Sequence, residues 1–361
     1  MEKICIFCGN KPQDKTNEHV IPQWLIELTG NPGRKANFAL NKQFAFSSFK
    51  FPACNICNNK FSGMEGAVKH IIINLLNGQP IKAMDLNLLL DWLDKVRIGI
   101  WLGNLYLDKN PTNVDPNYHI NTRVGQRDRM LVIYKYHPML INNGIQFSGT
   151  NLPSFHIMPT AFTLRINNIV LMNISVTKFL SHKLGFPYIK EQKIKDAKTT
   201  SGILEKGLER VKKPIVSFPL ISGGIEVYQP MFGREIEFMD DEDYSLLYGT
   251  DYVKENSLDY GKGAGCFFIN KKDTDTFSIY KDKEDLIDLN CNTIQPIYDY
   301  EKLMKHILVI QNHFLEQNIS NLYNLPKDRR NTLKAGLKSC ILINKKAIKS
   351  KVDWKTNMIS L

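Results

Sequence analysis

The chain reads as α+β. A small cysteine-paired module occupies residues 1–80, a larger mixed α/β domain of unassigned fold 81–325, and a basic helical segment 326–361. Three observations predict this. With 361 residues, 43% hydrophobic and 23% charged, the composition is that of a globular chain long enough to bury a sizeable core, which excludes a disordered or fibrous class. Helix-type spacing of apolar residues dominates near 60–105 and again after 300, and strand-type runs fill much of the interval between. The paired cysteines all fall in the first 80 residues, whose short apolar runs are broken by Gly, Pro and Asn.

The elements follow in order. Ile4–Phe7 reads as a short strand entering a turn at Gly9–Asn10, and Phe38–Phe51 as strand with a break at Ser47–Ser48. Beyond Cys57 the spacing of Ala67, Val68, Ile71, Ile72, Leu75 and Leu76 predicts a helix, ended by Gly78 and Pro80. Leu86–Leu105 is expected to be a long helix with Leu90, Leu93, Arg97 and Trp101 on one face. Asp91, Asp94 and Lys95 mark its wetter side, with a possible interruption at Gly99 or Gly103. Strands are expected at Met130–Tyr136, Phe162–Ile166 and Ile169–Val176, the last two joined by a tight turn at Asn167–Asn168. The Lys-rich stretch 188–213 reads as helix or loop. Further strands are expected at Ile215–Phe218, Ile225–Tyr228, Glu235–Phe238, Cys266–Asn270 and Phe277–Tyr280. Helices close the chain at Tyr300–Gln317 and from Asp328 to about Lys351.

No window approaches 18 uninterrupted apolar residues, and the opening MEKICIFCGNKP lacks the apolar core of a signal peptide, so a soluble, cytoplasmic protein is expected. Seven cysteines in a reducing compartment disfavour disulfides; Cys266, Cys291 and Cys340 read as single buried thiols. Of the net charge of +11, residues 326–361 contribute +8, ten Lys/Arg against two Asp. Such a tail, with Arg329 and Arg330 near its start, suits a polyanionic partner, most simply nucleic acid; a solvated amphipathic helix has the same composition.

The sharpest signal is Cys5-x-x-Cys8 followed, after 45 intervening residues, by Cys54-x-x-Cys57. Two residues between cysteines let both thiolates reach one ion, and two such knuckles complete a tetrahedral zinc site. Four sulfur ligands leave no position for substrate, so that zinc is structural, and it supplies folding energy a small module lacks. Between the knuckles stands Glu18-His19-Val20-Ile21-Pro22, and the second knuckle continues as Cys54-Asn55-Ile56-Cys57-Asn58-Asn59-Lys60.

Taken jointly, the two knuckles, the EHVIP string and the CNICN string resemble the HNH endonucleases of the ββα-metal fold, in the four-cysteine branch with Glu-His in place of Asp-His. The resemblance covers roughly residues 3–70, about a fifth of the chain. It implies a metal-dependent hydrolase of DNA phosphodiester bonds with His19 as the general base that activates water. Glu18 and Asn58 would hold a catalytic Mg²⁺ or Mn²⁺, hard cations suited to oxygen ligands. The middle Asn of the signature has no counterpart just before the second knuckle, where Ser47-Ser48-Phe49-Lys50-Phe51-Pro52 stands; Asn37 and Asn41 lie further upstream. Several proteins of this architecture are bacterial and serve defence against phage, which supplies an expectation for this chain by analogy only.

Each residue also has a plainer reading: His19 as a packed histidine, Asn58 as a helix cap, Lys60 as a solvated helix residue instead of a phosphate contact, Glu65 as a charge favourable to a helix dipole. Arg123, Arg127 and Arg129 could grip an anionic effector or pair within a charged turn. Gly261-Lys262-Gly263-Ala264-Gly265 lacks the ending of a P-loop. Residues 81–325 are expected to sense, specify or oligomerise, and a partner protein or small effector is expected to restrain the nuclease. The alternative is a zinc-ribbon protein that binds nucleic acid or a partner and hydrolyses nothing.

Overall fold

The computed structural model describes residues 4–30, 33, 35–38, 42–107, 119–149, 160–176, 188–196, 199–205, 221, 223–232, 250–270, 278–290, 294–324 and 326–349. The strands expected at Ile215–Phe218 and Glu235–Phe238, the residue Cys291 and the chain beyond 349 lie outside the described residues.

The N-terminal residues coil through the first knuckle into β1 (Lys15–His19) and the short helix α1 (Gln23–Leu28). A hairpin, β2 (Lys35–Phe38) and β3 (Lys42–Ala45), leads through one 3₁₀ turn at Phe46–Ser48 into β4 (Lys50–Cys54). That turn is the break expected at Ser47–Ser48. Ile4–Phe7 is knuckle and not strand, tied to β4 by a main-chain bond from Ile6 N–H to the Pro52 carbonyl and by Cys54 N–H to Cys5 Sγ. Helix α2 (Asn55–Leu76) starts directly from β4 and stops at Asn77, with Gly78 left-handed at φ +68°.

A two-residue strand β5 (Ile81–Lys82) precedes α3 (Ala83–Leu107), and α4 (Ile120–Arg123) follows. The strands are then β6 (Asp128–Tyr136), β7 (Ile145–Ser148), β8 (Thr160–Ile166), β9 (Ile169–Val176), β10 (Tyr188–Asp196), β11 (Thr199–Glu205) and β12 (Ile225–Gln229). After α5 (Thr250–Glu255) come β13 (Ser257–Asp259), β14 (Ala264–Gly265), β15 (Phe267–Asn270), β16 (Ser278–Tyr280), β17 (Leu286–Ile287) and β18 (Ile294–Gln295). Helices α6 (Tyr300–Ser320) and α7 (Lys327–Lys349) close the described chain.

The body is an eight-stranded sheet in the order β16-β15-β12-β6-β9-β8-β7, with β18 pairing β6 in parallel. Asn167, at φ +51°, makes the two-residue turn between β8 and β9 as expected. Within the stretch 188–213 read as helix or loop, the described residues instead form the antiparallel hairpin β10–β11. β-branched Ile189, Ile194, Thr199, Thr200 and Ile203 favour strand there against a helix-friendly Lys/Glu composition, and the pairing wins.

The sheet is buried on both faces. Met130, Val132 and Tyr134 join α6 through Leu303, Met304 and Ile307, whereas Leu131, Ile133, Phe162 and Leu171 join α3 and the cysteine module in one continuous core. Helix α3 is therefore the middle of the molecule. It runs unbroken, and Asp94 and Lys95, expected on a wetter face, are fully buried with ionic partners. Gly99 and Gly103 are not breaks. A methyl at Gly99 would lie 2.9 Å from Val20, and one at Gly103 would lie 2.5 Å from Phe51 and 2.6 Å from Phe49. The glycines let the residue that follows β1 and the start of β4 pack directly on the helix backbone. Gly103→Ala should therefore destabilise by ~1–3 kcal/mol through overpacking, against the gain of roughly 1 kcal/mol that a free helix interior would return. A urea midpoint that rises in this variant would refute that packing.

Candidate functional site

Strands β1 and β4 pair antiparallel with Lys15 opposite Cys54 and His19 opposite Lys50. This register puts the cysteines at one end of the pair and His19 at the other, about 13 Å away at ~3.3 Å per residue. Helix α2 crosses the same pair.

At the first end, Cys5, Cys8, Cys54 and Cys57 bring four free thiols within 4.8 Å of one another. Tetrahedral bonds of ~2.3 Å to zinc require sulfurs about 3.8 Å apart, and Cys8 Sγ lies 3.9 Å from Cys54 Sγ. Burial pushes the Cys5 thiol up, but backbone N–H groups from Cys54, Cys8 and Phe7 outweigh it and hold the group below the usual thiol range. The Cys54 N–H donates to Cys5 Sγ over 3.3 Å. Such N–H groups support a thiolate ligand. The cluster can hold a structural metal such as zinc. Around it Phe7 stacks on Phe61 with centroids 4.7 Å apart, and Asn121 of α4 donates to Cys57 Sγ over 3.9 Å, so the body of the protein grips the second knuckle.

At the other end His19 is half-buried. Burial, followed by the nearby charge of Lys50, holds its imidazole below the ordinary value, while Glu65 and a hydrogen bond with the Ser47 backbone pull the other way. That shift favours the neutral ring, the form a general base needs. Ser47, a few residues before the second knuckle, thus contacts the imidazole through its main chain.

Glu18 is buried beside it, and its Oε1 accepts a charge-assisted hydrogen bond from Lys95 Nζ of α3. Lys95 also donates to Glu65 Oε1, from about three turns into α2. Burial raises the Glu65 carboxyl above its usual range despite the lysine. Asn58 lies one residue beyond the second knuckle. Its amide donates to Thr16 Oγ1 over 3.2 Å, so it neither caps α2, whose N-cap is Cys54, nor meets Glu18.

A divalent cation therefore does not fit Glu18 and Asn58 as arranged. Glu18 is engaged by an ammonium, and Asn58 is anchored about two strand residues, or ~7 Å, nearer the cysteines. Among the described residues only the four cysteines gather as three or more potential ligands close enough to share an ion.

The remaining candidates are scattered. Lys60 is exposed on α2, roughly 200° around the helix from Asn58 at 100° per residue. It lines a cavity of about 300 Å³ with Phe61, Asn87, Asp91, Asn121 and Lys262, away from His19. Arg329 is exposed and Arg330 partly so, its Nη1 donating to the Tyr323 carbonyl over 3.5 Å. They belong to α7, which packs on α6 across the sheet from α3. Lys50, which sequence reading passed over, is the cation beside His19. Arg123 and Arg129 are buried and bound to Ser175 and to Asp91, Asn87 and Gln229, which are structural partners and not an effector grip.

No protein-family model matches the chain, and no curated protein or solved structure is significantly similar to it. No helix among the described residues is long and apolar enough to cross a membrane.

Proposed function

We propose that the chain is a nucleic-acid phosphodiesterase of HNH type, acting on DNA, with His19 as the general base. The observation that carries the reading is a half-buried imidazole at the end of β1, opposite a lysine, on a β1–β4–α2 unit whose far end gathers four cysteines. In this scheme His19 takes a proton from water and the water oxygen attacks phosphorus. The P–O3′ bond breaks, and the leaving oxygen takes a proton from solvent. Lys50 lies where it can offset phosphate charge, and the Ser47 backbone holds the imidazole in orientation. Lys60, Arg329 and Arg330 would add salt-sensitive affinity at a distance from the reacting bond.

The capture of Glu18 by Lys95 supports the second reading, a zinc module that binds nucleic acid without cutting it. Cleavage of supercoiled plasmid, with and without Mg²⁺ or Mn²⁺, decides between them. Under the first reading His19→Ala slows nicking by on the order of 10²–10⁴-fold and leaves plasmid binding intact. Wild-type protein that binds plasmid and never nicks it, under either condition, rules out an unrestrained nuclease and leaves the second reading or an enzyme held silent by a partner; nicking that survives His19→Ala refutes the first.

A further inference from the structure

We infer that Lys95 is the resident cation of this site: its ammonium stands where the HNH resemblance puts a divalent metal, and Glu18 and Glu65 hold it in place of Mg²⁺ or Mn²⁺. The inference rests on the HNH-type reading for the identity of the site, but its test does not require cleavage.

A lysine buried to 1% relative exposure is expensive to place in a core unless the charge is met by partners of opposite sign. Here both partners come from the cysteine module while the lysine comes from the body, so the ion cluster spans the two. Glu18 arrives from β1 and Glu65 from α2, and the Phe7 ring lies 6.0 Å from the ammonium.

The helix is built to deliver that charge. Lys95, Gly99 and Gly103 recur every four residues and so share one face of α3. The two glycines admit Val20, Phe49 and Phe51 against the helix backbone, and that approach brings Glu18, two residues before Val20, within reach of Lys95. Two carboxylates against one ammonium leave a single negative charge, with Lys50 close by. A dication entering as well would put an excess of positive charge into a volume shielded from water, where repulsion is strong.

The test uses the full-length, zinc-loaded chain and Mn²⁺ as the probe, reading free Mn²⁺ by electron paramagnetic resonance. Wild type should show no stoichiometric site below roughly millimolar Mn²⁺, because Lys95 already neutralises the hard oxygen ligands. Lys95→Met should gain one site that binds on the order of 100-fold tighter or more, as Mn²⁺ fills the vacated charge, and adding Glu18→Gln should remove it. The melting temperature should rise with Mn²⁺ in Lys95→Met only. A stoichiometric wild-type site lost in Glu18→Gln overturns the inference, as does a folded Lys95→Met chain that ignores Mn²⁺. If Lys95→Met does not fold, wild type and Glu18→Gln still decide the matter. Cleavage that survives His19→Ala would sink the nuclease reading while leaving Lys95 in its assigned place.

Discussion

Replacing Cys54 by serine, or stripping the metal with a strong chelator, should unfold the first 80 residues and expose α3. The expected loss is large because structural zinc in such sites contributes an apparent ~10–16 kcal/mol, comparable with the ~5–15 kcal/mol stability of a whole domain. Residues 4–14 have no helix or strand of their own. They are held by a few main-chain bonds, Cys5 N–H to Asn10 O and Ile6 N–H to Pro52 O among them, and by the cluster. Cys5, Ile6 and Phe7 are nonetheless fully buried in the core that continues into α3, so their release costs packing well beyond the module. One zinc per purified chain by elemental analysis, and a steep fall in urea midpoint with its removal, are the expected results. A Cys54→Ser protein of wild-type stability would make the cluster a bystander.

The cluster was legible because its chemistry is local: two thiols per knuckle, with a spacing that only metal or redox chemistry explains. The helix after the second knuckle and its stop at Gly78 were legible for the same reason, but β1 was not: the strand was expected at Ile4–Phe7 and lies at Lys15–His19. What escaped were pairings over long separations. Lys95 looks like a solvated residue on an amphipathic helix until Glu18, 77 positions away, reaches it. Gly99 and Gly103 resemble breaks until the strands that need the space are known. Lys60 and Arg329 carry the right charge for nucleic acid, but helix phase turns one away from His19 and the sheet stands between His19 and the other. Asn58 matched a motif position, while its amide is engaged one ligand short of the site. Composition specifies charge; only the fold specifies which charges meet.

Asp94→Ala should destabilise the protein by ~3–5 kcal/mol, the usual result of leaving buried cations without their anion. Asp94 is wholly buried, and its carboxylate accepts from Arg97 and from the Gly125 N–H, the latter over 3.0 Å, with Arg129 Nη1 3.9 Å away. Arg97 continues to Asn173 of β9, and Arg129 belongs to β6, so one carboxylate ties α3 to the two central strands and to the loop after α4. Burial alone would raise its pKa; Arg97, Arg129 and Arg123 outweigh that and hold the group below the usual carboxylate range. A depressed folded-state pKa means stability that is present above the unfolded value of about 3.9 and lost as pH falls through the folded one. Asp94→Asn keeps the shape and forfeits the charge, so it should fall well short of wild type at pH 7. The gap between the two should then close below about pH 4, where the unfolded chain begins to take up a proton that the folded carboxylate still resists. Urea unfolding of both proteins across that range is the measurement. A gap that stays constant with pH would mean that shape, not charge, is what Asp94 contributes at the centre of the fold.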